Sequence, residues 1–185
     1  MYSISDLRKG MVIELEGEPY KVIDAQHKSL GRGGAVLNAK VKNLQDGSVI
    51  SKTFKGNDKI EPATVDLVDM QFLYKDAAGL VLMNTESYEQ ATIPLDLVEN
   101  EAMFIKEGET IIVEYFRTKP IGIKLPPKVE LKVDKTTPAV KGDTAKAAQK
   151  NATLETGLVL RVPLFIEEGN KIRVDTKTGE YAERA

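Results

Sequence analysis

The sequence predicts an all-β protein built from three small barrels, and three observations carry that expectation. Its apolar runs are short, rich in Val, Ile, Thr, Tyr and Phe, and bounded by Gly, Pro and Asp. Sustained helical periodicity is almost absent. A stretch in the middle of the chain returns without gaps 61 residues later.

Taken in order, the strand-like runs are PYKVIDAQ (Pro19 to Gln26), GSVISKTF (Gly47 to Phe54), QFLYKD (Gln71 to Asp76) and GLVLMN (Gly79 to Asn84). TIIVEYF (Thr110 to Phe116), KVELKV (Lys128 to Val133), GLVLRVPLFI (Gly157 to Ile166) and KIRVDT (Lys171 to Thr176) follow. A further strand is expected where Leu37, Ala39 and Val41 alternate with Asn38, Lys40 and Lys42, the two-residue period of a half-buried strand. The best helical segment is Pro94 to Ile105, with Pro at a plausible first turn and acidic residues near the start.

The repeat aligns FIKEGETIIVE (Phe104 to Glu114) with FIEEGNKIRVD (Phe165 to Asp175), and six of eleven positions coincide. A turn glycine between two apolar strand ends is what two copies of one barrel would share. DLRKGMVIELE (Asp6 to Glu16) keeps only the glycine followed three residues later by Ile. One barrel per repeat places linkers at Glu61 to Thr64 and Leu125 to Lys128, where prolines stiffen the connection. The units are then 1–64, 65–127 and 128–185. Barrels of about 60 residues have marginal cores alone, so the first two are expected to pack through an apolar interface.

Composition narrows the function. The chain has 185 residues with 26 Lys plus Arg, 28 Asp plus Glu, one His and no Cys. Thiolate metal sites, disulfides and cysteine nucleophiles are excluded, and any histidine-based catalysis would rest on His27 alone. His27 follows a strand and precedes a lysine, the setting of a solvated hairpin residue. An enzyme is therefore not expected, nor is any cofactor or metal. The start of the chain has no long apolar core, so a cytoplasmic protein without membrane contact is expected. The formal charge is −2, yet it is unevenly placed: 10 basic and 8 acidic residues in 1–64, 5 and 11 in 65–127, 11 and 9 in 128–185. Residues 21–60 hold 8 basic against 3 acidic. Contacts are expected at the two extremities, with the acidic middle as a spacer; uniform solubilising charge is the plainer alternative.

Two segments carry the candidate chemistry. In HKSLGRGGAVLNAKVKN, Gly31, Gly33 and Gly34 surround Arg32, so a β-hairpin presents one long cation at its tip. A solvated loop is the plainer alternative. The motif is neither GxGxxG nor a P-loop, and no helix follows to receive an anion. Lys28, Arg32, Lys40 and Lys42 along one hairpin would follow a phosphate backbone. The second segment, Val140 to Gly157, is long and polar; it is either an inter-strand loop or a loop meeting single-stranded RNA through Asp143, Thr144 and their neighbours.

The stretch from Ala152 to Ala185, together with KGDTA (Lys141 to Ala145) and the glycine-flanked cation, resembles bacterial elongation factor P over essentially the whole chain. The resemblance implies an L-shaped, non-enzymatic monomer with an SH3-like KOW barrel and two oligonucleotide-binding (OB) barrels. It implies binding to the ribosome between the peptidyl-tRNA and exit sites, relieving stalling at consecutive prolines. The partners implied are rRNA, ribosomal proteins, peptidyl-tRNA, exit-site mRNA and a loop-modifying enzyme. Lys28, Ser29, Gly31, Arg32, Gly33 and Gly34 would meet the tRNA acceptor end, and Gly142, Asp143 and Thr144 the exit-site codon. Lys40, Lys42, Tyr181 and Arg184 are further RNA-contact candidates. The family's tip residue is often modified, which leaves three states for Arg32: bare, rhamnosylated or otherwise modified. A general single-stranded RNA-binding protein or RNA chaperone is the alternative function.

Overall fold

The computed structural model describes residues 1–29, 35–137 and 149–185. Three antiparallel five-stranded sheets follow one another along the chain. The first holds β1 (Val12–Leu15), β2 (Glu18–Ser29), β3 (Ala35–Asn43), β4 (Val49–Lys55) and β5 (Glu61–Pro62), in the order β4-β3-β2-β1-β5. The second holds β6 (Asp66–Lys75), β7 (Gly79–Asn84), β8 (Gln90–Pro94), β9 (Thr110–Phe116) and β10 (Lys119–Lys124), ordered β10-β9-β6-β7-β8. The third holds β11 (Lys128–Thr136), β12 (Gln149–Leu154), β13 (Val159–Pro163), β14 (Lys171–Asp175) and β15 (Tyr181–Arg184), ordered β13-β12-β11-β14-β15. Numbered within each sheet, the second and third have one strand order. Their end strands approach each other, β8 with β10 and β13 with β15, so both sheets curl towards closure.

Each sheet buries its own apolar face. Leu7, Ile13, Val22, Leu37, Ala39, Val41 and Phe54 fill the first core. Met70, Phe72, Leu80, Leu82, Ile93 and Val113 fill the second. Leu131, Val133, Leu154, Val162, Ile166 and Ile172 fill the third. The alternation read at Leu37, Ala39 and Val41 is found as a fully inward-facing set, with Lys40 exposed.

All eight runs read as strands contribute strand residues. Two local expectations are corrected. The segment Pro94 to Ile105 forms no continuous helix, only a single turn at Leu95–Val98 (α1) and a 3-10 turn at Glu101–Phe104. Neither turn has a side-chain cap, and a stretch this short does not repay helix nucleation by itself. The supposed linker at Glu61 to Thr64 contains β5, whose Pro62 pairs with Ile13 at the sheet edge, where a missing N–H is tolerated.

The faint third copy of the repeat is structurally real. Gly10, Gly108 and Gly169 have φ of +93°, +84° and +83°, conformations that glycine adopts without strain. Their N–H groups donate to Val22, Phe72 and Val133 carbonyls at 2.7, 2.7 and 2.9 Å. In each sheet the receiving strand bulges just past that point, at Val22/Asp24, Phe72/Tyr74 and Val133/Lys135. One turn-and-bulge device therefore builds all three barrels.

The expected apolar contact between the first two sheets is present. Leu44 of the first packs with Phe116 and Ile121 of the second, and Val12, Ala63 and Val65 cover them. Arg117 lies over the Phe116 ring at 4.9 Å and reaches Glu14 at 3.2 Å. Being exposed, that ion pair adds little, so the apolar cluster holds the joint. At the second joint Phe104 enters the core of the third sheet, with Met103 and Leu125 beside it. Lys106 Nζ donates to the Glu130 carbonyl at 3.2 Å, and the Thr176 hydroxyl donates to the Pro126 carbonyl at 2.6 Å.

Turn carboxylates give the fold a pH dependence of known sign. The Ser3 hydroxyl and N–H hold Asp6 below its usual value, and the Ser48 side chain and N–H do so for Asp46. Asp175 is lowered by the N–H groups of Thr178 and Lys177, and Glu183 by Lys128 and Arg173. A depressed folded-state value means stabilisation that is present above the unfolded value and lost as pH falls through the folded one. The melting temperature is expected to be level between about pH 7 and 5 and to fall below about pH 4. A melting temperature that rose on acidification would contradict this.

Candidate nucleic-acid interface

The hairpin of β2 and β3 is the longest feature of the first sheet. Its register runs from Tyr20 opposite Asn43 to Ser29 opposite Ala35. Leu30 to Gly34, and with them Gly31, Arg32, Gly33 and Gly34, lie outside the described residues. What is described is the stem that carries them. Partners directly opposite share a face, so Lys28 with Val36, Asp24 with Lys40 and Lys21 with Lys42 all point away from the core. On β4 the same face adds Lys55 opposite Val36 and Ser51 opposite Lys40.

A cationic strip thus runs along the outer face of three strands through Lys40, Lys55 and Lys28, with Lys42 at its foot. Asp24 is the acid within it; its carboxylate accepts from the Ala25 N–H at 3.0 Å and the Gln26 amide at 3.1 Å. Such a strip suits a phosphate backbone, which offers repeated charge at a spacing that strand side chains can follow. Lys55 was not foreseen, because only the strand register brings it to the hairpin's face. Lys42, by contrast, is half-buried and donates to the Asp96 carbonyl at 2.8 Å, tying the strip to α1 of the second sheet. His27 is exposed, opposite Leu37 on β3. Beside it, Arg8, Lys9 and Asp24 line a shallow cleft.

At the far end of the chain, Gly142, Asp143 and Thr144 also lie outside the described residues. Thr137 N–H donates to the Asn151 carbonyl at 3.1 Å and Gln149 pairs with Pro163, which anchors both flanks of that segment on the third sheet. Tyr181 is half-buried against the third core, opposite Val174, and Arg184 is exposed opposite Ile172. The two RNA-contact candidates therefore sit on β15, a strand at the edge of its sheet. Among the described residues no helix is long and apolar enough to cross a membrane.

Known proteins match the chain along its length. A family model described as the elongation factor P KOW-like domain matches residues 3–60, one described as the elongation factor P OB domain matches 65–123, and one described as elongation factor P, C-terminal, matches 129–184. The chain belongs to the elongation factor P family. Elongation factor P of Coprothermobacter proteolyticus is 45% identical over 184 residues, covering 100% of this chain and 99% of that protein. Elongation factor P of Moorella thermoacetica is 44% identical over 185 residues, and that of Metamycoplasma arthritidis 45% over 185, each covering all of both chains. Membership in the elongation factor P family makes the chain a ribosome-associated translation elongation factor with KOW-like and OB architecture. The strand order common to the second and third sheets extends the OB assignment to the C-terminal one.

Proposed function

We propose that this factor binds the ribosome between the peptidyl-tRNA and exit sites and promotes peptide-bond formation at consecutive prolines by holding the peptidyl-tRNA. The cationic strip beside the β2–β3 stem carries the proposal, because its lysines flank the segment between Ser29 and Ala35 whose sequence contains Arg32. In this reading residues 1–64, 65–127 and 128–185 act as three units of an L-shaped monomer in the cytoplasm. Lys28, Ser29, Gly31, Arg32, Gly33 and Gly34 approach the acceptor end. Gly142, Asp143 and Thr144 approach the exit-site codon, and Lys40, Tyr181 and Arg184 contact RNA. Lys42 serves the first joint instead.

Chemistry supports positioning over acid–base catalysis. Proline is a secondary amine in a rigid ring with fixed φ, so productive geometries of the acceptor ends are rare. A bound scaffold that restricts the peptidyl-tRNA raises their frequency without supplying a proton acceptor. The ribosome forms the bond, and the factor is not an enzyme in its own right. The test is reconstituted translation of a template with three consecutive prolines beside a proline-free one. The factor is expected to speed only the first. Equal effects on both, or equally tight binding to free unstructured RNA, would favour a general RNA-binding protein instead.

Reversing charge on the strip has a defined outcome. Lys40→Glu is expected to weaken ribosome binding about tenfold at physiological salt and to flatten its salt dependence. Filter binding across a salt series reads both, and an unchanged slope would remove Lys40 from the interface.

A further inference from the structure

The internal repeat holds in backbone detail from Ile105 and Ile166 onward, and differs in burial at the residue before. Ile105 and Ile166 are both buried, as are Ile111 with Ile172 and Val113 with Val174. Phe72 N–H donates to the Glu109 carbonyl, and Val133 N–H to that of Asn170, both at 2.9 Å. Lys106 N–H meets the Glu109 carboxylate and Glu167 N–H the Asn170 side-chain oxygen, both at 3.2 Å. Yet Phe104 is 7% exposed and Phe165, its counterpart, 62%.

The cause is tertiary. Phe104, with Met103, plugs the core of the following barrel. Leu164 and Phe165 stand at the aligned positions of the third barrel, and among the described residues none of the three cores takes in Phe165. Two residues on, Lys106 Nζ lies 3.6 Å from Glu155 across the joint. Its counterpart is Glu167, which is exposed.

We propose that Leu164, Phe165 and Glu167 form a docking plug for a basic protein of the ribosome, Phe165 entering an apolar pocket rimmed by Lys or Arg. The proposal rests on the ribosome-bound reading above. A protein fits better than RNA for two reasons. The aligned phenylalanine of the second barrel already seats in a protein core within this molecule. The charge at the rim is also inverted: where Lys106 meets an acid, Glu167 asks for a base, and Glu167 with Glu168 repels phosphate. A second copy of the chain is disfavoured, since the site in the third barrel that receives such a plug is filled by the chain's own Phe104.

The experiment places a benzophenone amino acid at position 165 of the full-length factor and irradiates it with purified ribosomes. A cross-link to a basic ribosomal protein is expected, and Phe165→Ala and Glu167→Lys should each weaken binding about tenfold. Cross-links to rRNA alone, a cross-link between two copies of the factor, or unchanged affinity in Phe165→Ala would overturn the plug. In those cases a wild-type factor that still binds ribosomes leaves the functional reading standing. Failure of the wild type to bind ribosomes at all would overturn both.

Discussion

Arg32→Ala is expected to abolish most of the acceleration at consecutive prolines, lowering it by about 10- to 100-fold, while ribosome binding falls far less. The asymmetry follows from where the charges lie. In the proposed complex Lys28 and Lys40 on the hairpin stem, with Lys55 on the adjacent β4, would continue to hold the backbone. Only the group at the tip, planar and always charged, would orient the acceptor end. Quench-flow measurement of the first Pro-Pro bond separates the two effects, since binding appears in the concentration dependence and positioning in the saturating rate. Arg32→Lys retains charge and loses the planar fork, so partial activity is expected. If Arg32→Ala saturates at the wild-type rate, the residue has no positioning role. Intact-mass measurement of the factor from its native cell complements the series, because an unshifted mass selects bare Arg32 among the three states.

The second large effect is structural. Phe104→Ala is expected to destabilise the third barrel by about 3–5 kcal/mol, the range for truncating a buried phenylalanine. Phe104 belongs to one unit in sequence and to the next in packing, so its loss opens a cavity in the third core and loosens the joint at once. Lys106 and Thr176 would remain, but exposed polar contacts of this kind hold a joint weakly. Phe165→Ala, the same change at the aligned and exposed position of the third barrel, is expected to alter stability by less than about 0.5 kcal/mol. Urea unfolding of both variants reads the contrast, and equal losses would contradict the assignment of Phe104 as a plug.

That pair of residues also marks the limit of what was legible beforehand. The strands could be read because turn residues bound each apolar run and because side chains alternate on a pleated surface, as at Leu37 to Lys42. The repeat could be read because its glycine needs a backbone few residues tolerate. Ile follows both Phe104 and Phe165 and a Glu-Gly turn comes three residues on in each, while the changes at Met103/Leu164 and Lys106/Glu167 do not encode burial; only the packing of the third barrel on Phe104 separates the two. Lys55 joins the cationic strip through strand register, and Lys42 leaves it through a contact with Asp96, 54 residues away. Both depend on distant pairing. The isolated turns at Leu95–Val98 and Glu101–Phe104 misled for the opposite reason: helical composition was present, but the Phe104 plug and the Val98 core contact decide the backbone there. Family resemblance, by contrast, needed only the motifs from Lys141 onward and the tip, and the full-length relatives agree with it.

The absence of cysteine makes one measurement especially direct. Lys28→Cys carries a single thiol on the described stem, and a tethered iron chelate there cleaves nucleic acid within its short radical range. With ribosomes holding peptidyl-tRNA before a proline codon, the account predicts cleavage at the acceptor end of that tRNA. Cleavage confined to rRNA remote from the acceptor end, or none on the tRNA, would contradict it.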